Sequence, residues 1–446
     1  MTEFRATEAS GRRAALRVVI AGGGIAGAEA LLALHDLAGE RVELTLITPS
    51  ADLAYRPLAV AEPFGLGHVK RYPLDELVHE VDGRRIEGSL VEVDVSRREV
   101  VLEDGRRVAF DALLVAVGAR AVAGVEFATT WWPEGDPELY GGLLRDVEEG
   151  YVHRILFAVP SGAVWPLHIY ELALMTARDG AAMGMQPEIT VVTPEAVPLA
   201  LFGTTAAKAL SDELRSVGIR LETATLARVE AGAPYSVVLQ PSVRRVVVDR
   251  VIAIPEVVGP ALKGLPHDDR GFIPIEADGR VRGSERVWAA GDGIAYPVKY
   301  GGLATQQADV AAIGIARLAG AEVADVPRHL VLRGMLMTGA RPRALGKAEA
   351  PRVPSSPLWE PEGKVHGRYL SPYLERAAGH PGPDPSAEDA GVVVEEVLPA
   401  LDSDAAETFS ALWPSAPGRD DFLRRLGAHM HEYEDRLEDR SGSRRP

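Results

Sequence analysis

The run Val18-Val19-Ile20-Ala21-Gly22-Gly23-Gly24-Ile25-Ala26-Gly27 constrains this chain more than any other stretch. Residues 18–21 read as a buried parallel strand, and the glycines that follow read as a turn. Residues 28–37 (AEALLALHDL) continue with apolar residues at helical spacing, so a helix starts near Ile25. The spacing Gly22-x-Gly24-x-x-Gly27 is that of a dinucleotide-binding turn. Gly22 permits the tight turn, Gly24 lets backbone amides approach a pyrophosphate, and Gly27 lets helix and strand pack closely. The pyrophosphate would lie on the positive end of the helix. A second strand closes such a unit, and residues 42–47 (VELTLI) supply it. It ends in Thr48-Pro49, where an acid would usually bind a ribose, so a hydroxyl is expected to make that contact.

Composition narrows the chemistry. The chain of 446 residues contains no cysteine, which excludes disulfides, Cys-ligated zinc, iron–sulfur clusters and a redox-active dithiol. Any redox chemistry must then belong to a bound cofactor. A net charge of −16 argues against nucleic acid and against an anionic membrane surface as partners. Residues 14–34 are apolar enough to suggest a membrane span. Three consecutive glycines and the charges of Arg12, Arg13, Arg17 and Glu29 favour strand–turn–helix instead. No transmembrane segment is expected, and the chain reads as cytoplasmic or peripheral to a membrane.

Further along, Arg56 lies in a loop (residues 50–60) close to the dinucleotide turn, where it could bond a phosphate or an adenine half. Residues 90–95, 99–102 and 107–109 read as short strands with a hairpin turn at Glu103-Asp104-Gly105. Residues 110–120 are a buried strand ending at Gly118, and a glycine there lets backbone pass close to a ligand. A second βαβ unit starts at Arg154. Its sequence TVVTPEAVPLA (190–200) repeats TLITPSADLA (45–54), with Thr193 matching Thr48. Its turn, Pro160 to Pro166, has one glycine, Gly162, and carries Trp165 and Pro166 where small residues should stand. That turn is expected not to bind a nicotinamide nucleotide normally. Residues 287–293 are a strand ending in Gly291-Asp292, and residues 303–318 a helix aimed at a cofactor ring.

The expected fold is α/β, with two Rossmann-like units, the second inserted in the first, and a C-terminal α/β extension. The boundaries read as a disordered 1–16, a discontinuous dinucleotide-binding unit at 17–125 and 256–330, and a nicotinamide-nucleotide-like unit at 126–255. A C-terminal region at 331–446 carries an acidic tail with helices near 389–413 and 420–439. His429 and His431 in that tail lack ligand spacing, and no metal site is expected.

The motifs at 22–27, 111–118 and 287–293, in this order and with a βαβ unit between the last two, resemble the flavoproteins of the pyridine nucleotide-disulfide oxidoreductase superfamily. The helix ending Tyr170-Glu171, the stretch 188–203 (EITVVTPEAVPLALFG) and Pro297-Val298-Lys299-Tyr300-Gly301 narrow the likeness to sulfide:quinone oxidoreductases and flavocytochrome c sulfide dehydrogenases. This resemblance implies FAD as cofactor. It assigns Gly22, Gly24, Ile25, Ala26, Gly27, Thr48, Arg56, Val91, Ala116, Gly118, Gly291, Asp292, Lys299, Gly302 and Leu303 to the cofactor's surroundings. Lys299 would further act as a cation beside the flavin's pyrimidine edge, and Gln306 or Gln307 would face a quinone. The family's sulfide oxidation needs a cysteine pair, which this chain lacks, and Trp165 falls near one of those positions. Three activities stay open: an FAD-dependent oxidoreductase with a small-molecule donor and a quinone or redox-protein acceptor, an NAD(P)H dehydrogenase of the type II kind, and a flavin-binding protein without catalysis. A homodimer is compatible with each.

Overall fold

The computed structural model describes residues 14–162, 165–324, 330–332, 334–340, 343–345, 364–365, 367–378 and 396–398. Two five-stranded parallel sheets form the frame. The first has the order Val287–Ala289, Ala112–Val115, Leu16–Ala21, Val42–Thr48, Arg84–Glu87. The second has the order Thr129–Thr130, Arg250–Ala253, Arg154–Ala158, Glu188–Val192, Arg220–Glu222. All strands of the second sheet thus fall in sequence between the fourth and fifth strands of the first. A two-stranded antiparallel link, Arg120–Val122 with Glu256–Val258, stands where the chain passes between them.

Strands covered on both faces must be apolar throughout, and Val18, Ile20, Leu113 and Leu114 are fully buried. Each such Leu or Val contributes about 1.5–3 kcal/mol relative to an exposed one. The first helix, Ile25–Ala38, packs against the long helix Gly301–Leu318. Alanines at 26, 30, 33, 304, 308 and 311 are buried there, and their small side chains let the two backbones come close.

The two sheets are built alike. Each has three consecutive parallel strands, starting at Leu16 and at Arg154, then an antiparallel three-stranded meander, then a return strand beside the first of the three. The fifth strand comes last in sequence in the first sheet and first in the second. The same ion pair pins each return strand. Asp111 accepts bonds from the amide and guanidinium of Arg17, and Asp249 accepts them from the amide and guanidinium of Arg154. The Arg17 hydrogen bonds hold the Asp111 carboxyl down at about 2. Burial pushes the Asp249 carboxyl up, but Arg154 and two backbone amides hold it at about 2 as well. Asp111 therefore serves the sheet, at the end of its strand away from the glycine turns.

Several local expectations change. The loop at 50–60 contains a strand, Asp52–Tyr55, paired with Lys70–Pro73, and a short helical turn at Ala59–Phe64. The helix Pro137–Glu148 is an addition to the expected elements, capped by Asp136, with Pro137 in its first turn and Tyr140, Leu143, Leu144 and Val147 buried at helical spacing. Leu16 already belongs to the first strand, although it fell in the stretch expected to be disordered. Within the helix expected over 389–413, residues Glu396–Leu398 are instead a strand, antiparallel to Leu330–Leu332. The β-branched Val397 within it suits extended backbone and pairs with Val331. The helix expected over 420–439, with His429 and His431, lies outside the described residues. Among the described residues no helix is long and apolar enough to cross a membrane.

Candidate functional site

Three turns meet at the carboxyl ends of the adjacent strands Val287–Ala289, Ala112–Val115 and Leu16–Ala21, where open α/β sheets place their ligands. Contact between the turns dictates most of their glycines. A Cβ on Gly22, whose φ is +119°, would lie 2.1 Å from the Ala116 carbonyl oxygen. A Cβ on Gly293 would lie 2.8 Å from the Gly118 carbonyl oxygen, and one on Gly291 would lie 3.1 Å from the Ala26 Cβ. Gly27 must be bare because its Cβ would fall 1.8 Å from the Gly22 carbonyl oxygen. Gly23, which the motif leaves free, is wedged between Leu74 and the Thr48 hydroxyl.

Gly24 has no such internal reason. Its φ of −85° suits any residue, and a Cβ there would meet no protein atom within 4 Å. It stands at the start of helix Ile25–Ala38, which has no side-chain cap and no acid in its first turn. The helix therefore presents its orphan N–H groups and positive end uncompensated by its own side chains. Ile25, Ala26 and Gly27 belong to that first turn. A pyrophosphate fits these residues, and a side chain at position 24 would stand in its way.

The long helix Gly301–Leu318 also starts without a side-chain cap or an acid. Gly302 is bare because the Tyr300 ring lies 2.8 Å from where its Cβ would be, and Leu303 is fully buried. Asp292 is half-buried. Burial pushes its carboxyl up, while Lys299 pulls it down and Glu134 raises it. The Lys299 ammonium donates to the Ile294 carbonyl and sits 4.0 Å over the centre of the Phe272 ring. Burial lowers its pKa to about 7, against the opposing pull of Asp292 and Asp268. A lysine so placed exchanges a proton near neutrality.

The remaining sequence candidates are placed as follows. Arg56 pairs with Glu134 at 3.3 Å, both ends being exposed, and Glu134 is one of the charges that Asp292 feels. Such a pair is worth at most about 1 kcal/mol and is readily exchanged for another anion. The Thr48 hydroxyl accepts from the Ser50 amide at 3.2 Å and is buried against the glycine turn. Val91 sits at a bulge in its strand and is 43% exposed, which leaves an apolar side chain and irregular backbone facing outward. Ala116 is buried, its amide bonded to the Ala21 carbonyl at 2.7 Å. Gly118 has φ +73° and open space at its Cβ position.

Both glutamines turn out to be engaged with backbone. Gln307 accepts from the Gly291 amide at 2.9 Å, which ties the long helix to the Gly-Asp turn. Gln306 bonds both the amide and the carbonyl of Val331, and the Gly302 carbonyl. They hold the site together, and Gln306 has neither amide atom left for a quinone.

In the second unit the corresponding turn is fixed by equivalent bonds. Gly22 donates to the Ile47 carbonyl, and Val159 donates to the Val192 carbonyl, so Thr48 and Thr193 correspond. The helix starts three positions after Gly22 in the first unit, but eight after Val159 in the second. The Gly162 amide is occupied by the Glu256 carboxylate at 3.0 Å, and Arg270 bonds the carbonyls of Gly162 and Val257. Trp165 does not crowd this turn. It stacks on Tyr300, with ring centres 4.5 Å apart, and meets Phe202 edge-on. Past Thr193 the acid Glu195 is fully buried, accepting from the hydroxyls of Tyr170 and Thr193, and burial raises its carboxyl to about 7. Glu195 and Glu256 were not singled out in the sequence. An acid two residues past Thr193 was a readable hint, whereas nothing local marks Glu256. Among the described residues no group of three or more acidic or histidine side chains could hold a metal ion.

No protein-family model matches the chain. Among solved structures it is similar to the sulfide:quinone oxidoreductase of the hyperthermophilic bacterium Aquifex aeolicus, at 19% identity and a TM-score of 0.65, over 74% of this chain and 83% of that one. It is also similar to a NAD-dependent persulfide reductase from A. fulgidus, at 19% identity and 0.54, over 75% of this chain and 64% of that one. Putidaredoxin reductase, in its covalent complex with putidaredoxin, matches at 17% identity and 0.55, over 74% and 80%. The likeness at these identities is one of fold. The chain shares with these oxidoreductase structures an α/β fold, here built on two parallel sheets.

Proposed function

We propose that this protein is an FAD-dependent oxidoreductase that takes electrons from a donor other than NADH or NADPH and passes them to a quinone or a redox protein. The observation that carries the reading is the bare Gly24 at an uncapped helix start, in a crevice formed by two further glycine turns. Bound FAD would supply two-electron chemistry that no side chain of a cysteine-free chain can supply. The residues of the Gly24 turn would hold its pyrophosphate, with Gly118 and the Gly291-Asp292 turn beside it. Asp292 would accept from a polyol hydroxyl. Lys299, titrating near neutrality, would place positive charge or a proton close to the ring when electrons arrive. The solved relatives named above act on sulfide and quinone, on persulfide with NAD, and on putidaredoxin. These support an electron-transferring role, and the missing cysteines turn it away from cysteine-dependent sulfide oxidation.

The test is direct. The purified protein should be yellow, with about one FAD per chain released by acid. Anaerobic titration of the bound flavin with candidate reductants, followed by quinone or protein acceptors, identifies the substrates. A colourless protein that ignores added FAD would remove the basis of the proposal.

A further inference from the structure

Residues 364–365 and 367–370 lie across the start of the long helix and touch four distant parts of the chain. The Lys364 carbonyl accepts from the Tyr300 hydroxyl, and the Val365 carbonyl accepts from the Tyr55 hydroxyl at 3.4 Å. Val365 lies on the helix start, its Cγ2 2.9 Å from where a Gly301 Cβ would be, so Gly301 is bare to admit it. Gly367 passes over Glu29 for the same reason: a Cβ there would lie 2.3 Å from its carboxylate. That carboxylate, fully buried in the first helix, accepts from the amides of Tyr369 and Leu370 at 2.8 Å each, and so caps the helix Leu370–Ala377.

The other end is fixed by charge. The Lys364 ammonium bonds Glu171 Oε1 at 2.7 Å, and the two side chains are 2% and 0% exposed. Glu171 stands about one turn into the helix Leu167–Ala182 of the second unit, which follows Trp165, the residue stacked on Tyr300. The same Oε1 accepts from the Met337 amide, while Oε2 is buried without a partner among the described residues. A carboxylate with one oxygen unsatisfied is poorly compensated for its burial, and an ion pair of this kind is held by geometry more than by net energy.

We infer that residues 364–365 and 367–370 form a strap across the ring end of helix Gly301–Leu318, latched by Lys364 and Glu171, and that substrates reach the ring only when the latch opens. The inference rests on the proposed FAD site, because the helix start is where the ring would lie. Glu29 anchors one end of the strap in the helix that would hold the pyrophosphate. The latch ties the other end to the second unit, so the strap opens from the Lys364 end.

The test uses the full-length flavin-loaded protein and two readouts. Hydrogen exchange of the peptide spanning 364–370 reports the strap itself, and the rate of flavin bleaching by dithionite reports access to the ring. In Lys364→Met, both are expected to rise at least about tenfold, because Glu171 is left as an unpaired buried charge. In the double variant Lys364→Met, Glu171→Met no buried charge is left unpaired, so exchange and bleaching that stay raised report the missing latch. A return of both to wild-type rates would overturn it. Unchanged exchange and unchanged bleaching in the single variant would overturn the latch. Faster exchange with unchanged bleaching would overturn the gate, since the strap would then cover nothing. Should the single variant not fold, a double variant whose exchange equals that of wild type would overturn the latch by itself. A wild-type protein without flavin would sink the cofactor reading alone, because the exchange arm reads the latch in its absence.

Discussion

The Glu256 carboxylate accepts a hydrogen bond from the Gly162 amide at 3.0 Å, at the turn of the second unit where a nucleotide phosphate would otherwise lie. Gly162 has no room for a Cβ because that carboxylate is only 2.4 Å from the position. The turn thus binds an anion that belongs to the chain. NADH and NADPH are therefore expected to reduce the flavin slowly or not at all. A phosphate would meet negative charge instead of a free amide, Thr193 offers no acid to a ribose, and Glu195 faces Tyr170 instead. Stopped-flow bleaching under anaerobic NADH checks this, and fast, saturable bleaching at micromolar NADH would favour a type II dehydrogenase.

Gly24 and Gly27 should separate binding from folding. Gly24→Val adds a side chain into space that no protein atom fills, so the fold should survive while FAD content falls to background. Gly27→Ala drives a methyl into the Gly22 carbonyl and should destabilise the protein by about 3 kcal/mol or more. Flavin content and urea midpoints, measured on both variants, distinguish the two effects. Retention of FAD by the Gly24 variant would place the cofactor elsewhere.

Lys299→Met should lower the flavin's reduction potential, by on the order of tens of millivolts. With its pKa near 7, the lysine is charged below neutrality and mostly neutral above it, so the shift should be larger at pH 6 than at pH 8.5. Stability moves with pH in a linked way. Between pH 7 and the ordinary lysine range the unfolded chain holds a proton that the folded one lacks, so this group's penalty fades as pH rises. Redox titrations at the two pH values check the first claim; an unchanged potential would remove Lys299 from the ring's neighbourhood.

Glu195→Gln should flatten part of the stability–pH profile. Burial raises this carboxyl from 4.5 to about 7, so between those values the folded protein binds a proton that the unfolded chain has lost. Its contribution is present below pH 4.5 and disappears as pH rises through 7, a loss of about 3 kcal/mol at most. The Gln variant keeps an acceptor for Tyr170 without titrating. Urea unfolding at pH 5 and pH 8 should show a smaller difference in the variant than in wild type, and equal differences would contradict the buried-acid account.

The fold was legible where backbone geometry forces residue choice. Gly22, Gly27 and Gly291 are required by approaches of one turn to another, and such requirements leave glycines at fixed spacing. The repeat of Thr48-Pro49 and Thr193-Pro194 marked equivalent strand ends, and the hydrogen bonds at Ile47 and Val192 place them alike. The long-range polar partners were not legible. Glu29 serves Tyr369 and Leu370, Glu171 serves Lys364, and Glu256 serves Gly162, each across some ninety to three hundred and forty positions. A buried carboxylate with a distant partner looks in sequence like any surface acid. Trp165 looked in sequence like an intruder in a glycine turn, but its side chain leaves the turn for Tyr300, a destination that depends on how the two sheets meet.

The chain enters the second sheet by Arg120–Val122 and leaves it by Glu256–Val258, and these two legs are hydrogen-bonded neighbours. They stand about 4.8 Å apart, the spacing of any two paired strands. Everything between residues 122 and 256 therefore begins and ends at one spot on the first sheet, which draws none of its own strands from that interval. In engineering terms the second unit is a cassette: a tight turn joining Val122 to Glu256 would turn the two legs into a hairpin and leave the first sheet's strand order intact. What would leave with the cassette is Trp165 from its stack on Tyr300 and Glu171 from beneath Lys364, the two contacts by which the insert reaches back to the ring end of the long helix.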